Sequence, residues 1–110
     1  MNNITNEEYL AFTRTTAIYP KERELEYLVL GLTSESGEVA GKVKKIIRDN
    51  KELTPNLKGA IIDELSDVGW YLTRLADCMG TDLSSLLQHN YNKLSDRKER
   101  GVISGSGDNR

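Results

Sequence analysis

Pro20 and Pro55 are the only prolines in this 110-residue chain. Around them the apolar residues recur at helical spacing. Proline breaks a helix interior but is tolerated in a first turn, so the chain divides into a few long helical segments. Thr5 and Glu8 fit a capping box that opens a helix over 6–16, and "IYP" ends it. A second helical pattern runs from about Lys21 to about Asp49. "NKELTP" connects it to a third, with Thr54 as N-cap and Pro55 in the first helical position. That helix ends near Met79, before Gly80. Asp82 or Thr81 caps a fourth, which continues to about Arg100 and stops at Gly101. The expected fold is all-α, a four-to-five-helix bundle. One domain is expected over residues 1–100, with a Gly/Ser-rich tail over 101–110 that should be mobile unless something binds it.

The two middle helices are long for so short a chain, and their stripes are rich in Leu, Ile and Val. Helices of this length bury little surface against one another, so a second subunit should cover part of the stripes, giving a homodimer or homotetramer. The alternative is a compact four-helix monomer. Net charge is −2, which argues against a broad basic surface for a nucleic-acid polymer but leaves room for local phosphate-binding clusters. A single cysteine, Cys78, and a single histidine, His89, exclude an internal disulfide and a Cys/His zinc site within one chain. "MNNITNEEY" is polar and acidic, unlike a signal peptide, and no apolar run approaches membrane-spanning length. A soluble, cytoplasmic protein without membrane contact is the expectation.

Two stretches place carboxylates where a helix should be apolar. "ESGE" carries Glu35 and Glu38; "ELSD" carries Glu64 and Asp67. On the second helix, with Leu28 at zero, Leu32, Val39, Val43 and Ile46 fall within about 60°, Glu35 at about 340°, Glu38 at about 280° and Lys42 at about 320°. On the third, with Leu57 at zero, Ile61, Leu65, Val68, Leu72, Leu75 and Met79 fall within about 80°, Glu64 at about 340°, Asp67 at about 280° and Tyr71 at about 320°. The fourth helix has a stripe of Leu83, Leu87, Tyr91 and Leu94, with Asn90 at about 340°, Lys93 at about 280° and Arg97 at about 320°. Two acidic shoulders and one amide-plus-basic shoulder can converge on one cleft if the helices bundle. Four clustered carboxylates would not all remain ionised at neutral pH without a cation. Hard oxygen ligands suit Mg²⁺ or Mn²⁺, which also bind substrate phosphates. Asn90, Lys93 and Arg97 could hold the remaining phosphate oxygens. The plainer reading is a set of solvated faces, with Glu38 and Lys42 as a surface pair. Gly31, Gly37 and Gly41 interrupt the second helix; a tight helix contact or substrate access would explain them, and simple tolerance suffices for Gly37.

"LGLTSESGEVAGKVKK", "DELSDVGWYLTRLADCMGTDL" and "NYNKLSDRKERGVISGSGDNR" together resemble the MazG-like nucleotide pyrophosphohydrolases of the all-α NTP pyrophosphatase group. The likeness covers roughly residues 25–110. Its hallmark, ExxE, a spacer and ExxD, is Glu35-Ser36-Gly37-Glu38 and Glu64-Leu65-Ser66-Asp67. A chain this short resembles the single-domain type that phages often encode, which would place it in the host cytoplasm. The resemblance implies a helical dimer or dimer of dimers, more than one Mg²⁺ per site (Mn²⁺ substituting), and Glu35, Glu38, Glu64 and Asp67 as the metal ligands. It implies hydrolysis of a nucleoside triphosphate to monophosphate and pyrophosphate.

The corresponding mechanism is attack of a metal-bound water at the α-phosphorus. Lys93 and Arg97 would stabilise phosphate oxygens, and Glu35 or Glu38 would accept the proton. Asn90 would orient a phosphate, a water or the ribose. Lys42, Lys45 and Tyr71 are further substrate-binding candidates, as are Asp108 and Arg110 if the tail closes over the site. Trp70, opposite the stripe, is expected to be buried at a subunit interface rather than stacked on a base. Cys78 is expected to be inert packing. His89, at about 240° and so away from the shoulder, is expected to be a solvated surface residue. Related families on this fold cleave dUTP or phosphoribosyl-ATP, and these remain alternatives. So does a non-catalytic oligomerisation module with a structural cation site, although such a module has no need of Asn90, Lys93 and Arg97.

Overall fold

The computed structural model describes residues 2–110. Four α-helices follow in order: α1 (Asn6–Thr16), α2 (Glu24–Arg48), α3 (Pro55–Cys78) and α4 (Leu83–Arg100), with a single 3₁₀ turn at Lys21–Arg23 ahead of α2. No strand occurs among the described residues. The helix ends follow from local chemistry. Thr5 Oγ1 accepts from the Glu8 amide at 3.1 Å while Glu8 accepts from the Thr5 amide at 3.2 Å, which satisfies two N–H groups that the first turn leaves free. Thr54 accepts from the Leu57 amide, and Pro55 takes the first turn of α3. Asp82 caps α4, and Gly101 ends it in the left-handed conformation, φ 72°.

α2 and α3 form an antiparallel hairpin, the main packing interface of the molecule. Its tightest point is Gly31, where a side-chain carbon would collide with the Tyr71 ring. Gly37 and Gly41 face open space, so only Gly31 has a packing reason. α1 lies across α3, held by polar contacts. Arg74 is 5% exposed and donates to Asp77 at 2.7 Å, Thr13 at 3.4 Å and Glu24 at 3.5 Å. Arg14 reaches across from α1 to Asp77 through two hydrogen bonds, at 2.8 and 3.1 Å. Tyr19 donates to Glu24. Trp70 donates its indole N–H to Thr16 Oγ1 at 2.8 Å and meets Tyr71 edge-on. Trp70 is half-buried, and α1 of its own chain lies against that back face of α3.

The core is small. Ala17, Leu28 and Ala76 are its only buried apolar residues among those described. The chain exposes 8346 Å², about 2,200 Å² more than a compact 12.4-kDa monomer should. Its radius of gyration is 17.1 Å, against about 13 Å for a compact domain of this length. α4 packs only lightly on α3 and touches α1 through Asn6 and Ser84 at 3.1 Å. Leu87, Tyr91 and Leu94, the apolar stripe of α4, are all exposed. The tail folds back over the end of α4: Arg110 donates to the carbonyls of Val102, Ile103 and Gly107, and Arg100 donates to the Arg110 carbonyl.

Asp77 ties these helices together electrostatically. The hydrogen bond from Arg14 is the main cause that lowers its pKa to about 2, with Arg74 adding to it and burial opposing. A carboxylate depressed in this way stabilises the fold above its unfolded pKa, and that contribution is lost as pH falls through about 2. Asp77→Asn should lower unfolding free energy by about 1–2 kcal/mol at pH 7. In urea titrations the gap between variant and parent should close as pH approaches 2.

Candidate metal and phosphate site

The hairpin positions three of the four sequence-identified acids together. Glu35 of α2 and Glu64 and Asp67 of α3 each offer a carboxylate oxygen, and these oxygens all lie within 4.8 Å of one another. Glu64 and Asp67 share a face because they are i, i+3 on one helix; the antiparallel pairing brings Glu35 opposite. Glu35 and Glu64 are half-buried and Asp67 is exposed, matching their angular positions at the edge and shoulder of the stripes. Glu38 lies one turn further along α2, exposed, and is not part of the three-oxygen cluster.

The electrostatics show the strain of the arrangement. The Glu35 pKa is raised, first by desolvation, then by the charges of Asp67 and Glu64, with a smaller effect from Glu38. Burial, with Tyr27 as hydrogen-bond partner and the charges of Glu35 and Asp67 adding to it, raises the Tyr71 pKa as well. Tyr71 thus forms a wall beside the acids, packed against Gly31. Tyr9 of α1 stands near Asp67: its phenol is pushed up by burial and by that charge. Sequence reasoning did not identify Tyr9, because no local signal says where α1 docks. Lys42 pairs with Glu64 at 3.5 Å across the hairpin, so the anticipated Lys42–Glu38 surface pair is replaced by an interhelix one.

Lys42 also lines a cavity of about 240 Å³ at the loop end of the hairpin, together with Lys45, Asp49 and Lys51 over a floor of Ile46, Leu57 and Ala60. The fourth-helix set is held differently. Asn90 is exposed, while Lys93 and the 4%-exposed Arg97 both contact Asp108 of the tail. No hydrogen bond or ion pair among the described residues joins Lys93 or Arg97 to the acid cluster. Within one chain the cations of α4 thus make no direct contact with the acids, and α4 packs only lightly on α3. His89 is exposed, and Arg110 is spent on tail carbonyls.

The donor set fits a hard divalent cation. Carboxylate oxygens from two helices, crowded within 4.8 Å of one another, gain most from a cation.

Residues 23–102 match the model of the MazG nucleotide pyrophosphohydrolase domain. The chain is also 47% identical over 102 residues to the "Gene 37 protein" of Mycobacterium phage L5, an alignment that covers 86% of this chain and 90% of that protein. No solved structure matches. The chain belongs to the MazG nucleotide pyrophosphohydrolase family, and its likeness to a phage protein of similar length makes it a short, phage-type member.

Neutralising one acid should separate stability from ion binding. The raised Glu35 pKa means that the ionised cluster costs stability at neutral pH. Asp67→Asn should raise the melting temperature of the metal-free protein and shrink the further rise produced by added Mg²⁺. Differential scanning calorimetry with and without Mg²⁺ measures both.

Proposed function

We propose that the chain is a Mg²⁺-dependent nucleoside triphosphate pyrophosphohydrolase that converts a (d)NTP and water to (d)NMP and pyrophosphate. The observation that carries this is the Glu35, Glu64 and Asp67 cluster in a MazG domain. Glu38, one turn from Glu35, completes the ligand set by a side-chain rotation toward the cluster. Mg²⁺, or Mn²⁺ in its place and in more than one copy, would offset phosphate charge and lower the pKa of water for attack at the α-phosphorus. Glu35 or Glu38 would accept the proton. Lys42 and Lys45 offer charge to phosphates from the hairpin side, and Tyr71 bounds the pocket. Lys93 and Arg97 stabilise phosphate oxygens, and Asn90 orients the substrate.

The splayed position of α4 supports a homodimer or homotetramer in which a second copy covers Leu87, Tyr91 and Leu94. An excess of about 2,200 Å² per chain is the size that obligate interfaces bury. Association would also let α4 of one chain present its cations to the acids of another. One domain over 1–100 with a tail over 101–110 fits this reading. So does a cytoplasmic location, in the host if the gene is phage-borne; among the described residues no helix is long and apolar enough to cross a membrane.

Incubation with a panel of NTPs and dNTPs, including dUTP, and with phosphoribosyl-ATP tests the reading. Monophosphate and pyrophosphate should appear only with Mg²⁺ or Mn²⁺, and ¹⁸O from labelled water should enter the monophosphate. Glu38→Gln should abolish turnover, and Arg97→Ala should lower kcat/KM by about 10²-fold. A folded protein that turns over none of these would instead be a non-catalytic module with a structural cation site. Light scattering should show a dimer or tetramer, and Leu94→Asp should weaken it.

A further inference from the structure

Arg97 places a guanidinium that is almost wholly buried against the tail. Its Nη2 donates to the main-chain carbonyl of Asp108 at 2.8 Å and approaches Asp108 Oδ1 at 3.3 Å. Lys93 Nζ reaches the same carboxylate oxygen at 3.4 Å. Two cations one helical turn apart thus converge on one anionic oxygen, as they would on an oxygen of a phosphate. The tail is shaped to deliver it. Gly107 takes φ +83°, and Gly105 leaves space that a side chain would deny to Arg110. Arg110 in turn fastens the loop through the carbonyls of Val102 and Ile103 at 3.0 and 2.9 Å. Asp108 itself remains accessible, with 82% of its side chain exposed.

We propose that the C-terminal loop is a built-in competitor for the phosphate site: the Asp108 carboxylate occupies the place on Lys93 and Arg97 that a substrate phosphate or released pyrophosphate takes. This rests on the reading that Lys93 and Arg97 bind phosphate, and it replaces a substrate-contacting role for Asp108 with an opposing one. The exchange is feasible because the Asp108 carboxylate is exposed and both its ion pairs are long, at 3.3 and 3.4 Å, so water competes with them. A polyphosphate brings more charge than one carboxylate, so it wins the site once bound. The loop then keeps the two cations neutralised when the site is empty and speeds the departure of pyrophosphate.

Asp108→Asn preserves the shape of the side chain and removes its charge. Calorimetric titration with inorganic pyrophosphate, in the presence of Mg²⁺, should show the variant binding about two- to fivefold more tightly than the parent, the size of an exposed ion pair's contribution. The gain should vanish when Lys93→Ala is added. Equal or weaker binding by Asp108→Asn would overturn the competitor role. If Lys93→Ala leaves pyrophosphate binding unchanged, or if no variant binds it, the phosphate reading of α4 itself falls and the competitor role falls with it.

Discussion

Repulsion among Glu35, Glu64 and Asp67 is the constraint around which the rest of the molecule is arranged. Three carboxylates with oxygens within 4.8 Å of one another are unfavourable in a metal-free protein at neutral pH. The α2–α3 hairpin nevertheless imposes that proximity, because its register is fixed by packing elsewhere: Leu28 is fully buried, and the Tyr71 ring fits only against a glycine at position 31. Lys42 relieves part of the charge through Glu64. A cation would offset the remainder, which is the physical basis for the proposed metal site.

A core of three small or medium apolar side chains cannot hold such a site alone. Polar contacts do much of the holding on one side. Arg14 and Arg74 meet on Asp77, and Trp70 bonds to Thr16, so α1 is fastened to the back of α3 by directional bonds rather than by apolar area. On the other side nothing equivalent holds α4. Its stripe is apolar, its neighbours in the chain are few, and its exposed leucines and tyrosine are the kind of surface that soluble monomers seldom leave uncovered.

Much of this was legible in the sequence because helix ends are written locally. Thr5 with Glu8, Thr54 with Pro55, Asp82 and Gly101 each mark a boundary that the structure keeps. The wheel arithmetic also separated half-buried Glu35 and Glu64 from exposed Glu38 and Asp67. It failed on α4, where the exposure is inverted: Arg97 is buried, Lys93 is half-buried and the apolar stripe faces outward. An angle states which side chains share a face, not which neighbour covers that face. Here the tail covers Lys93 and Arg97, while Leu87, Tyr91 and Leu94 of the stripe stay exposed. Tyr9 was missed for the same reason, since its place depends on where α1 docks, a long-range contact with no local signature.

The two charged sets explain each other. The chain carries a net charge of only −2, yet it sets an acid cluster on the hairpin and the Lys93 and Arg97 pair on α4, and no ion pair among the described residues joins them. Each set is instead neutralised by a local substitute: Lys42 on the acids, Asp108 on the cations. Both substitutes form long ion pairs, at 3.3 to 3.5 Å, with at least one partner open to water, so both can be displaced at small cost. A ligand that displaced both would have to present a cation to one set and several anionic oxygens to the other. Among small intracellular ligands, a polyphosphate chelating a divalent metal has that charge distribution. Under the proposed function, a metal–polyphosphate bound as a unit would answer both sets at once, which neither component does alone.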